Sequence, residues 1–258
     1  MSEVHSTLPD DIKMLLAEAK RSFDHREAKW QPLWDNAWDF TMPERRRGDD
    51  KADPSDYFSR MHDSTGMQSA RSLSNTLVAG LVPPWMQWFR LTPGALVPEK
   101  DREDMRMLLR DANQTLLLHL NQSNFIQEIQ PAFSDLMVST GAIRQDPADG
   151  VGVRFKNIPL DELALGEDTY HQINRIYHKQ QIMARELLAN KEWLAKFQRH
   201  PDIVERMEKR PDEMHTVWLI VDATDKRPRQ LMVYAVQGDF LDPVRRFPEQ
   251  KPDVSFAS

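Results

Sequence analysis

The sequence predicts an α+β fold, with a helical N-terminal half packed on a smaller β-rich region, and two observations of pattern carry that expectation. Up to about Thr140 the apolar residues recur every three or four positions; after Gly141 they alternate. A third observation sets the class: of 258 residues, 40% are hydrophobic and 29% charged, which is enough apolar material for a sizeable globular core.

From Pro9 to Pro43, the positions Ile12, Leu15, Leu16, Ala19 and Phe23, then Trp30, Trp34 and Trp38, keep helical spacing, and Asp10 and Asp11 suit the first turn. Pro32 removes a backbone donor inside this run, so a kink or break is expected near Trp30. The charged stretch Glu44 to Pro54 reads as an exposed loop. Helix resumes behind the cap Asp63-Ser64-Thr65, shows a face at Ala70, Leu73, Leu77 and Leu81, and stops at Pro83-Pro84. Trp85 to Leu91 is read as a short extended segment, because prolines bracket it.

Glu99 to Asn121 has acids at its start and Met105, Leu108, Leu109, Ala112, Leu116 and Leu120 along one side, the pattern of an amphipathic helix. A further helix over Asn124 to Thr140, with Phe125, Ile129, Phe133 and Leu136 facing inward, should end at Gly141 and be bent or divided at Pro131. Burial is expected for Leu108, Leu109, Leu116, Phe133 and Phe155.

Beyond Gly141 the turn-like Asp146-Pro147-Ala148-Asp149-Gly150 precedes alternating Val151, Val153 and Phe155, which predicts a hairpin. Short strands are expected at Glu162 to Leu165 and Ile173 to His178, and helical turns near Met183 to Gln198 and Ile203 to Lys209. Val217 to Val221 and Leu231 to Val236 form a second predicted hairpin. These readings divide the chain into a helical region 1–140, a β-rich region 141–237 and a loose proline-rich tail 238–258.

Composition closes several function classes. With no cysteine, thiolate metal sites, disulfides and thiol nucleophiles are impossible. Neither Gly-x-x-x-x-Gly-Lys-[Ser/Thr] nor Gly-x-Gly-x-x-Gly occurs, so no cofactor is expected and no phosphate-cradling loop is supplied for an ATPase. The longest apolar stretch beside a helix, Leu81 to Met86, falls short of the roughly 20 residues of a membrane span. The N-terminus lacks the pattern of a secretory signal, so a cytoplasmic site of action is expected. A net charge of -6, with 40 acidic against 34 basic residues, argues against tight DNA binding by the whole surface and leaves room for a local or weak contact. Seven tryptophans and 13 methionines suit extensive contact surfaces.

The segment Tyr57-Phe58-Ser59-Arg60-Met61-His62-Asp63-Ser64-Thr65-Gly66, continuing through Ala70, Leu73, Leu77 and Gly80 to Pro83-Pro84-Trp85-Met86-Gln87-Trp88-Phe89-Arg90-Leu91, resembles the head-to-tail connecting (portal) proteins of short-tailed phages. The likeness extends through Asn124-Phe125, Asp135-Leu136, Gly141, Phe155, Ile158-Pro159-Leu160-Asp161-Glu162 and Arg175, and is carried by order and spacing rather than by any single motif. It implies a wing-like part of a structural, non-enzymatic subunit that assembles with copies of itself as a dodecameric ring at one capsid vertex of the virion. Implied partners are a terminase motor, capsid, scaffold and tail proteins, and double-stranded DNA passing through the channel. Full family members carry stem helices, a clip and a crown beyond this region, so the tail is also the expected truncation point of the chain.

Candidate subunit contacts are Trp30, Trp34 and Trp38, spaced by four residues, and Trp85, Trp88 and Phe89. For the tryptophan stripe, packing in the core or between subunits is favoured over base stacking. Arg45, Arg46 and Arg47 are candidate contacts to phosphate or to an acidic partner, although Asp49 and Asp50 nearly cancel them and favour a solvated loop. A metal shared by His171 and His178 is disfavoured by their seven-residue separation, which would place them on opposite faces of a strand. His62-Asp63-Ser64 suits helix capping better than a catalytic triad. Two other classes stay open beside the ring subunit: a non-pore adaptor for nucleic acid or terminase, and a hydrolase using His and carboxylates.

Overall fold

The structure, a computed structural model, describes residues 10–43, 63–94, 97–148, 152–189, 194, 201–223, 229–236 and 239–241. Helices occupy the first half and antiparallel sheets dominate the second, the α+β order that the change of period predicts. The chain divides into two compact units, one of residues 1–30 with 162–258 and the other of residues 31–161. This division crosses the helical and β-rich segments of the sequence, because the first helix belongs with the last sheet.

In the discontinuous unit, helix α1 (Asp10–Lys29) lies on a five-stranded antiparallel sheet of order β3-β4-β5-β6-β7. Its strands are β3 (Leu163–Glu167), β4 (Ile173–Met183), β5 (Met214–Asp222), β6 (Arg229–Val236) and β7 (Asp239–Leu241). Leu15, Leu16, Ala19 and Phe23 fall on one helical face and are buried against Ala164, Tyr177, Trp218 and Ile220. Phe23 meets Trp218 edge to face at 5.1 Å. Alternation along β5 turns Val217 to the other face, where it packs with Ala184 and Leu187 of α6 (Ala184–Ala189) and Met207 of α7 (Pro201–Lys209). Of the expected loose tail 238–258, Asp239 to Leu241 form strand β7 and pair with Tyr234 to Val236, and residues 238 and 242–258 lie outside the described residues. A three-residue strand needs only backbone groups and an open edge, so it leaves little trace in apolar periodicity.

The expected break falls where it should, with a turn at Trp30 between α1 and α2 (Gln31–Thr41), two residues before Pro32. In the continuous unit α2 packs on α3 (Thr65–Leu81), α4 (Arg102–Gln122) follows a 3-10 turn, and α5 (Phe125–Leu136) lies against a hairpin of β1 (Ala142–Ala148) and β2 (Gly152–Ile158). One core cluster gathers Trp34, Trp38, Met42, Ala70 and Leu160; a second gathers Val82, Phe125 and Phe155. Gly66 permits the α2–α3 approach, since a Cβ there would lie 2.5 Å from the Phe40 carbonyl oxygen.

Several expectations fail in this unit. Leu108 and Leu116 of α4 are exposed at 65% and 44%, and Leu109 and Phe133 are only half-buried, so of the five expected core residues Phe155 alone is fully enclosed. On α4 the buried residue is Asn113, Leu120 packs on the Phe125 cluster, and Met107, Leu108, Leu116 and Leu118 stay exposed. Leu73 and Leu81 are exposed as well, because α3 buries the Ala70–Ser74 side instead, and so is Leu136 at the end of α5. Pro131 does not divide α5. An interior proline costs about 3 kcal/mol or more, and burial of Phe125, Ile129, Ala132 and Phe133 on both sides of it offsets that cost. Asp146 to Ala148, expected in the turn, belong to strand β1.

Candidate functional site

The functional question centres on the segment after the double proline, where α3 ends and residues 87–94 form neither helix nor strand. Its inner side is fixed by three interactions. Trp88 stacks on Phe125 at 5.9 Å with rings 9° from parallel, and Phe125 in turn meets Phe155 edge to face at 5.0 Å. Phe89 contacts Trp88 at 5.0 Å, and both rings are half-buried. Asn113, from α4, acts as a one-residue strand: its carbonyl accepts the Leu91 N–H at 2.8 Å and its amide donates to the Leu91 carbonyl at 3.4 Å.

The same device recurs on the hairpin. Asn124 accepts the Phe155 N–H and donates to the Phe155 carbonyl, each at 2.8 Å, while Glu128 accepts the Asn157 N–H at 2.7 Å. The edge of β2 turned away from β1 is thereby covered by side chains of α5 and its cap. Apolar periodicity carried no sign of Asn113 or Glu128; a polar residue on the inward side of a helix was the available signal.

Just before this segment Trp85 is 72% and Met86 56% exposed, a few residues after exposed Leu81. Of the six candidate contacts, Trp34 and Trp38 are enclosed, their rings 6.4 Å apart; Trp30 and Trp85 are exposed, and Trp88 and Phe89 lie between these extremes. The expected stripe is cut, since Trp30 sits at the turn and in the other unit. Arg45, Arg46 and Arg47 fall outside the described residues.

Polar groups elsewhere are held for structure. Arg175 of β4 bonds Glu18 of α1 at 2.5 Å and Asp222 of β5 at 3.3 Å, and beside it burial, then the Glu18 carboxylate, push the Tyr177 phenol upward. His178, 1% exposed, has its Nε2 3.2 Å from Glu162 and its Nδ1 3.0 Å from Gln180. His171 instead occupies the exposed β3–β4 turn with φ 60°, its Nδ1 3.3 Å from Glu167. The two histidines are thus in different settings rather than on two faces of one strand, and among the described residues no three His, Asp or Glu side chains could share a metal. Asp63 accepts the Thr65 N–H at 3.0 Å and its hydroxyl at 2.8 Å, a cap-like bond at the start of α3. Among the described residues no helix is long and apolar enough to cross a membrane.

The family model of the bacteriophage head-to-tail connecting protein matches residues 13–236, spanning both units. The chain belongs to that family. This membership fits the expectation drawn from Asp63-Ser64-Thr65, the double proline and Trp88-Phe89. A curated relative, described as a probable portal protein of Bordetella phage BPP-1, is 24% identical over 187 residues, which cover 68% of this chain and 32% of that protein. The chain therefore spans about a third of the relative it matches.

Proposed function

We propose that this chain is a portal subunit, the structural part of a phage head-to-tail connector that forms a ring at one capsid vertex, through which DNA is packaged and ejected and to which the tail attaches. The match of the connector family over residues 13–236 carries the reading. In it the chain has no catalysis of its own; a terminase motor supplies the energy, and capsid, scaffold and tail proteins are the other partners. It assembles in the host cytoplasm and ends in the virion. Its ring contacts are the aromatic residues left uncovered, Trp30 and Trp85, with the half-buried Trp88 and Phe89 close by in sequence to Trp85. Apolar burial of this kind offsets the mutual repulsion of acidic subunits.

A ring needs two different surfaces on each subunit and closure at a fixed rotation. Size exclusion coupled to light scattering tests the reading on two proteins. The 258-residue chain is expected to be monomeric or heterogeneous, and a version extended by a connector stem and clip is expected to close into uniform rings. Trp85→Ser in the extended version should weaken the rings while leaving the melting temperature in place. Uniform rings from the short chain would show that the contacts are misplaced, and an extended version that stays monomeric would remove the portal assignment.

A further inference from the structure

Between the 87–94 segment and α4 lies an open cleft of about 900 Å³ within the continuous unit. Arg102, Arg106 and Arg110 line one wall at intervals of one helical turn, and Arg90 lies on the segment opposite. Glu103 is the single carboxylate of the lining, so four guanidinium groups face one acid. Glu103 engages Arg106 at 3.1 Å in an exposed pair, and the Nε of Arg102 donates to the Val97 carbonyl at 3.2 Å. Among the described residues Arg90 and Arg110 make no ion pair. On a chain of net charge -6 this is a concentrated positive site.

We infer that this cleft binds the phosphodiester backbone of a nucleic acid without regard to sequence, independently of ring assembly. The three helix arginines repeat about every 6 Å along the axis, a regular row of planar forks suited to a polymer whose charges also recur regularly. The cleft is open rather than enclosed, which suits a strand that passes along it better than a small metabolite that must be surrounded. Gln87 and Gln114 add amide donors for phosphate oxygens but no constellation that would single out a base.

The test is fluorescence anisotropy of the purified full chain against three labelled probes: a short DNA duplex, the matching single strand, and a polyglutamate peptide. Binding to the duplex should be micromolar or weaker at physiological salt. With a net of three phosphates neutralised, affinity should fall about 40-fold between 50 and 200 mM salt. Arg106→Gln with Arg110→Gln should cut the slope of log affinity against log salt by about two. Arg90→Gln, on the opposite wall, should cut it by about one. Circular dichroism checks that each variant keeps its fold. Single-strand binding with a shallower slope supports the same site. Three results overturn the inference: duplex affinity unchanged in the cleft variants, loss of affinity instead on replacing Arg45, Arg46 and Arg47 by Gln, or capture of polyglutamate without either nucleic acid.

Discussion

His215 links the stability of one buried side chain to pH. It is 6% exposed on β5; burial holds its imidazole below the ordinary 6.5, Arg206 pulls in the same direction, and the Glu213 carboxylate opposes both. A histidine whose folded pKa is depressed takes up protons more readily when the chain is unfolded. Its contribution is therefore complete above about pH 6.5 and declines as pH falls through that value. Urea unfolding at a series of pH values should show stability dropping from pH 7 toward about pH 5. His215→Gln should flatten that slope whatever it does to stability at neutral pH; an unchanged slope would mean that other groups carry the effect.

Among the elements, the hairpin depends on α5 as much as on its own ladder. Asn124→Ala would leave the Phe155 N–H and carbonyl without their partner at a place where Phe155 is 7% exposed, at a cost of about 1–3 kcal/mol. Hydrogen exchange should locate the loosening at β2, with α1 unaffected. This contact also marks the limit of what a sequence discloses. Spacing reveals α1, α2 and the two hairpins because Leu15, Phe23, Trp38 and Val217 repeat in register with helix or strand. It fails on α4, where Leu108 and Leu116 keep helical spacing yet face outward, since periodicity reports one preferred side and not what covers it. The arginine row of the cleft was present in the sequence at intervals of four, but its significance depends on Arg90, brought opposite by the turn at Pro83-Pro84 and the Asn113–Leu91 bonds. Long-range pairing of that kind has no local signature. The aromatic candidates were legible as residues but not as a group, because burial separates Trp34 and Trp38 from Trp30 and Trp85.

For the whole molecule, the decisive fact is that residues 31–161 form a contiguous unit while its neighbour is assembled from the two ends of the chain. Expressed alone, 31–161 is expected to unfold cooperatively on heating, because the Trp38 and Phe125 clusters draw every member from within it. Residues 162–258 alone are expected to melt broadly and bind a hydrophobic dye, since without α1 the residues Tyr177, Trp218 and Ile220 have lost their cover. Adding a peptide of residues 1–30 should sharpen that transition; failure to do so would show that α1 is dispensable to the sheet.

That discontinuous unit also sets a timetable for synthesis. Helix α1 leaves the ribosome before its sheet partners, which lie beyond the roughly 130 residues of the other unit, at about 5–20 residues per second a delay on the order of ten seconds. During that interval Leu15, Leu16 and Phe23 have no sheet to cover them, while residues 31–161 are already free to fold. Helix α1 is thus made before the unit that intervenes and docks after it, and until then its apolar face is the surface a chaperone would hold.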